Sequence, residues 1–156
     1  MPNSELLVFF HRAPAGLRRR ALEQFARLLR ERVAAGRRFQ CLIADDRELR
    51  RLNRKFLGKD YPTDVLSFPA VKNGSRARGA TSGSLGDIAI SGDRAIAQAH
   101  EFGHSVKNEV GILMLHGLLH LMGMDHERDR GAMARVEASW RGKLALSGSL
   151  IERATL

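Results

Sequence analysis

The segment LMLHGLLHLMGMDH, residues 113–126, sets three histidines in a run that is otherwise almost wholly apolar. A helix this rich in Leu and Met is expected to be buried, and a buried imidazole costs free energy unless its ring nitrogens find partners. His116 and His120 are four residues apart. On a helix that spacing puts both imidazoles on one face, about 6 Å apart, near enough to chelate one ion. Gly123 can take the left-handed conformation that ends a helix, so the chain can turn back and return His126 to the same point. Three neutral imidazoles leave one tetrahedral position open, which is the arrangement of a catalytic zinc site and not of a closed structural one. The expected ligands are therefore His116, His120 and His126, holding one Zn2+ per chain.

The spacing H-x-x-x-H-x-x-G-x-x-H is that of the long zincin motif. Zincin proteases carry Glu directly after the first histidine as general base, and here that place is taken by Gly117, which cannot accept a proton. Peptide hydrolysis by that route is not expected. A second stretch, HEFGH at 100–104, matches the literal H-E-x-x-H pattern, but Lys107 and Val110 stand where the glycine and third histidine would follow. His100, Glu101 and His104 are expected at a solvated helix end, and His11 at a strand end has no evident partner.

Outward from the histidines the pattern alternates. ELLVFF (5–10) is a short strand-like run, and residues 16–34 repeat Leu22, Phe25, Ala26, Leu29 and Val33 with helical period. RFQCLIA (38–44) predicts a second strand, and Asp45 or Asp46 can cap the helix that follows, with Glu48 in its first turn and Leu49, Leu52 and Phe56 on its apolar face. TDVLSFP (63–69) and SLGDIAIS (84–91) predict two more strands, separated by a Gly- and Ser-rich stretch expected to be a mobile loop. Three helices follow: one from Gly92 to Gly103, one from Val106 to Met122, and one after Asp125 with Met133, Val136, Trp140 and Leu144 on one face. The expected class is α/β or α+β, a small mixed four-stranded sheet packed with about five helices in a single domain over 1–156.

The composition fits a soluble globular chain, with 44% hydrophobic and 28% charged residues. No apolar stretch approaches the roughly 18 residues of a membrane span. The N-terminal LLVFF run is too short for a signal-peptide core, so a cytoplasmic location is expected. The single cysteine, Cys41, excludes an internal disulfide and reads as a small buried residue, with no disulfide-linked partner expected. The net charge of +9, concentrated before residue 80, suits a polyanionic partner or a set of solvated basic helix faces.

HGLLHLMGMDH, taken with LNRKFLGKDYPTDVLSFP, LGDIAIS and EFGHS in this order and spacing, closely resembles the YbeY family of bacterial ribosomal-RNA maturation factors. The resemblance covers about residues 40–140, and a family pattern H-G-x-L-H-L-x-G-x-D-H is met at every fixed position. It implies a metalloprotease-like fold and a single-strand-specific, metal-dependent endoribonuclease. The implied role is 3′-end maturation of small-subunit (16S) ribosomal RNA and ribosome quality control, with the small subunit as partner. It also implies zinc on His116, His120 and His126.

Such an ion keeps its two positive charges, so it can lower the pKa of a bound water and stabilise a phosphorane-like transition state. With Gly117 unable to act as base, Asp125 is the nearest carboxylate in sequence, either as proton acceptor or as a residue orienting a ligand histidine. Arg54, Lys55 and Lys59 are candidate phosphate contacts. His116, Lys59 and Asp125 are accordingly the candidate catalytic residues. In the segment FLGKDYPT, Leu57 stands where the family usually has an arginine. A non-catalytic, zinc-stabilised RNA-binding assembly factor and a metal hydrolase of another substrate therefore remain alternatives.

Overall fold

The computed structural model describes residues 5–72, 75–76, 84–125 and 130–146. The chain runs β1 (Val8–His11), α1 (Arg19–Arg32), β2 (Arg38–Ala44), α2 (Asp46–Leu57), β3 (Val65–Pro69), β4 (Val71–Lys72), β5 (Ser75–Arg76), β6 (Ser84–Ser91), α3 (Gly92–Phe102), α4 (Val106–Leu121) and α5 (Ala132–Lys143). The main sheet has the order β1-β2-β6-β3. β1, β2 and β6 are parallel and β3 is antiparallel, so the expected mixed four-stranded sheet with five helices is what forms.

Alternation along the strands divides the sheet into two faces. Val8, Cys41, Ile88 and Ser67 lie in register across one face. That face packs on α4, where Ser67 Oγ donates to the carbonyl of Gly117 at 3.0 Å. α4 is buried on nearly all sides, from Glu109 to Leu119, because the sheet, α1, α3 and α5 surround it. Leu22, Ala26, Leu29, Phe39, Ile43 and Leu113 belong to this larger core. Cys41 is fully buried here, and burial pushes its thiol well above the usual range, as expected for a packing residue. On the opposite face Ala44, Leu66 and Ala89 pack with Leu49 of α2.

The local signals behave as their chemistry requires. Asp45 is the cap of α2 and accepts from the Glu48 amide at 2.9 Å, Ser91 caps α3 and Ser105 caps α4. Two expectations are corrected. The first strand begins at Val8 instead of residue 5, because the amides of Leu7 and Val8 both donate to the buried carboxylate of Glu23 on α1. The stretch expected as a loop after β3 contains a short antiparallel pair, β4 with β5. The remainder of that stretch lies outside the described residues.

Candidate functional site

α4 carries His116 and His120 on one face, with their rings 4.7 Å apart and their Nε2 atoms 3.2 Å apart. His116 is buried and His120 is partly open to solvent. After His120 the helix closes with Gly123 at φ +96, its amide donating to the His120 carbonyl, which is the left-handed turn the sequence predicts. His126, the third expected ligand, lies outside the described residues.

Behind the pair stands a residue the sequence reading missed. Glu137 of α5 is fully buried and its Oε2 lies 2.9 Å from His116 Nδ1. With Nδ1–H donating to this carboxylate, the lone pair of His116 falls on Nε2, the atom that faces His120. The donor set therefore suits a cation of the zinc type: two neutral imidazole nitrogens meeting at one point, one of them oriented by a carboxylate. A signal for Glu137 was present, since it sits among Met133, Val136 and Trp140 on the apolar stripe of α5, where a charged residue needs a buried partner.

Gly117 has a packing reason as well as a chemical consequence. A Cβ there would lie 2.8 Å from Ile88 Cγ2 and 3.2 Å from Ser67 Oγ, so any side chain would force its neighbours on the sheet to shift. A larger residue at this place would force Ile88 to move.

The other expected residues lie on two further segments, after α4 and at the end of α2. Asp125 is exposed, just after the Gly123 turn. Lys59 follows the left-handed Gly58 cap of α2; it is exposed, and its side chain makes no hydrogen bond or ion pair among the described residues. Nearby, Asp60 pairs with Arg50 and Glu48 with Arg51, and these hydrogen bonds hold both carboxyls below their ordinary range. Arg54, Lys55 and Lys59 take no ion pair among the described residues. Leu57, next to the Gly58 cap, is 49% exposed.

The HEFGH stretch needs one correction. His100 and Glu101 are exposed at the end of α3, as expected, but His104 is only 12% exposed and its Nε2 lies 2.6 Å from Oε1 of the buried Glu109. His104 is thus a structural partner of α4 and not part of a solvated end. His11 lies exposed at the end of β1.

Among the described residues, no helix is long and apolar enough to cross a membrane. Residues 14–143 match the family model described as Endoribonuclease YbeY. The chain is 58% identical over 146 residues to an Endoribonuclease YbeY of Solibacter usitatus, covering 94% of this chain and 92% of the relative. It is 48% identical over 151 residues to the protein of the same name from Koribacter versatilis, covering 96% and 92%. The fold is similar to the solution structure of TM1509 from Thermotoga maritima, with a TM-score of 0.56 at 23% identity over 92% of this chain and 97% of that one. The match along nearly the whole length, with the histidine motif and the mixed sheet inside it, places this chain in the YbeY endoribonuclease family.

Proposed function

We propose that this chain is a zinc-dependent endoribonuclease that cuts single-stranded RNA, with a role in 3′-end maturation of small-subunit ribosomal RNA and in ribosome quality control in the cytoplasm. The relatives at 58% and 48% identity are named endoribonucleases, and a net charge of +9 suits a polyanionic substrate. The observation that carries the reading is the convergence of His116 Nε2 and His120 Nε2 at 3.2 Å with Glu137 behind His116.

His116 and His120 would hold the ion, with His126 as third ligand by its place in the motif. When bound, zinc supplies positive charge that acidifies water and stabilises the developing charge on phosphate. Glu137 accepts a hydrogen bond from Nδ1–H of His116 and so keeps the Nε2 lone pair available for the ligand role. Gly117 offers no base, so the proton lost by the attacking group leaves to a phosphate oxygen, to solvent or to a carboxylate, for which Asp125 remains the candidate. Arg54, Lys55 and Lys59, exposed and without an ion pair among the described residues, are available to the phosphate backbone.

The test is cleavage of a defined single-stranded RNA by pure protein, with and without chelator, beside His116→Ala. Cutting that is lost in both controls is the expected result. RNA bound but never cut by the zinc-loaded protein would support the assembly-factor alternative instead.

A further inference from the structure

The sheet face opposite α4 is only partly covered. Beyond the end of α2 it opens into a cavity of about 800 Å3, walled by Phe9, Leu42, Phe56 and Phe68. Phe9 is 39% and Phe56 56% exposed, and Phe56 meets Phe68 edge to face with centroids 5.4 Å apart. The floor carries polar groups. Register places Asp87 of β6 directly across from Gln40 of β2 on one side and from Phe68 of β3 on the other, so the three side chains form one row on this face. Neither the Asp87 carboxylate nor the Gln40 amide has a hydrogen bond or ion pair among the described residues. Asp87 is exposed at the groove, and desolvation by its neighbours raises its carboxyl above the ordinary value. Lys55 stands at the rim, its Nζ 5.3 Å from the Phe56 ring centroid.

This combination selects among occupants. An acyl chain would leave Asp87 and Gln40 desolvated without partners. A second copy of a chain carrying +9 would meet net like charge. Unpaired nucleobases offer what the groove lacks: a π-face for exposed aromatic rings, edge N–H groups for an acceptor, and a phosphate for the rim cation. A carboxylate only accepts hydrogen bonds. Guanine alone among the RNA bases presents adjacent N–H donors, N1–H and N2–H, on its Watson–Crick edge. Beside them its O6 can accept from an amide such as that of Gln40. Adenine and cytosine set an acceptor next to their donor, and uracil flanks its one N–H with two carbonyls.

We propose that this groove is a second RNA contact, on the sheet face away from the histidines, holding one unpaired guanine against its aromatic wall with the N1–H and N2–H groups on Asp87. The assignment rests on RNA being the substrate, and its test is separate from that of cleavage. Binding of a cleavage-resistant 2′-O-methyl octauridylate with one central guanine is compared by fluorescence anisotropy with the same strand carrying adenine. The expected result is about tenfold tighter binding of the guanine strand. Asp87→Asn abolishes the preference, and Phe9→Ala weakens both strands. Equal affinity for the two strands, or a preference that survives Asp87→Asn, overturns the proposal. So does a dimer, seen by light scattering without RNA, that Phe9→Ala dissociates, since a second copy then owns the groove. Loss of the preference with RNA cutting intact sinks the groove alone, whereas a kept preference with no cutting sinks the nuclease reading alone.

Discussion

Glu137 Oε2 lies 2.9 Å from His116 Nδ1, joining a carboxylate of α5 to an imidazole of α4 across 21 residues of chain, both buried. If this contact sets the tautomer of His116, Glu137→Gln should weaken zinc binding by about 10- to 100-fold without unfolding the protein. A competition titration against a chromogenic chelator reads the change. Wild-type affinity in Glu137→Gln would reduce the contact to packing.

Gly117→Ala places a methyl group 2.8 Å from Ile88 Cγ2. The expected cost is about 1–3 kcal/mol, the range for overpacking a filled interior. Chemical denaturation measures it, and the double variant with Ile88→Ala should be less destabilised than the two single changes added together.

Glu23 accepts from the amides of Leu7 and Val8 and pairs with Arg27 at 3.0 Å. Glu23→Ala leaves the Leu7 and Val8 amides without this acceptor and is expected to cost about 1–3 kcal/mol. Hydrogen exchange should show the Leu7 and Val8 amides losing protection first. Unchanged protection there would mean that another group holds the strand.

The raised carboxyl of Asp87 gives a pH dependence of known sign. A carboxyl whose folded pKa lies above its unfolded one destabilises the protein while ionised, and the penalty disappears as pH falls through the folded value. Asp87→Asn should therefore raise Tm at neutral pH in the absence of RNA and lose this advantage in acid. Thermal melts across that range check both limbs.

Leu57 is 49% exposed at the end of α2, so an arginine there fits without repacking. Leu57→Arg would offer a planar, permanently charged fork to phosphate. On the nuclease reading it should raise single-turnover cleavage of single-stranded RNA by up to about a hundredfold at equal zinc content. A native rate equal to that of the variant would place Leu57 outside the reacting geometry.

The features legible in the sequence are those governed by neighbours in the chain. The four-residue spacing of His116 and His120, the turn at Gly123, the cap at Asp45 and the alternation of β2 and β6 are set by helical and strand period and by glycine's access to positive φ, so they can be read from one segment at a time. The insertion of β6 between β2 and β3, the pairing of His116 with Glu137 and of His104 with Glu109, and the closeness of Gly117 to Ile88 were decided by tertiary packing. Each of them joins segments whose local patterns carry no information about one another. Glu23, Glu109 and Glu137 show the reason most directly: each is a charged residue buried in a helix, marked in sequence as needing a partner, while the identity of that partner depends on which backbone amide or imidazole the assembled core brings within reach.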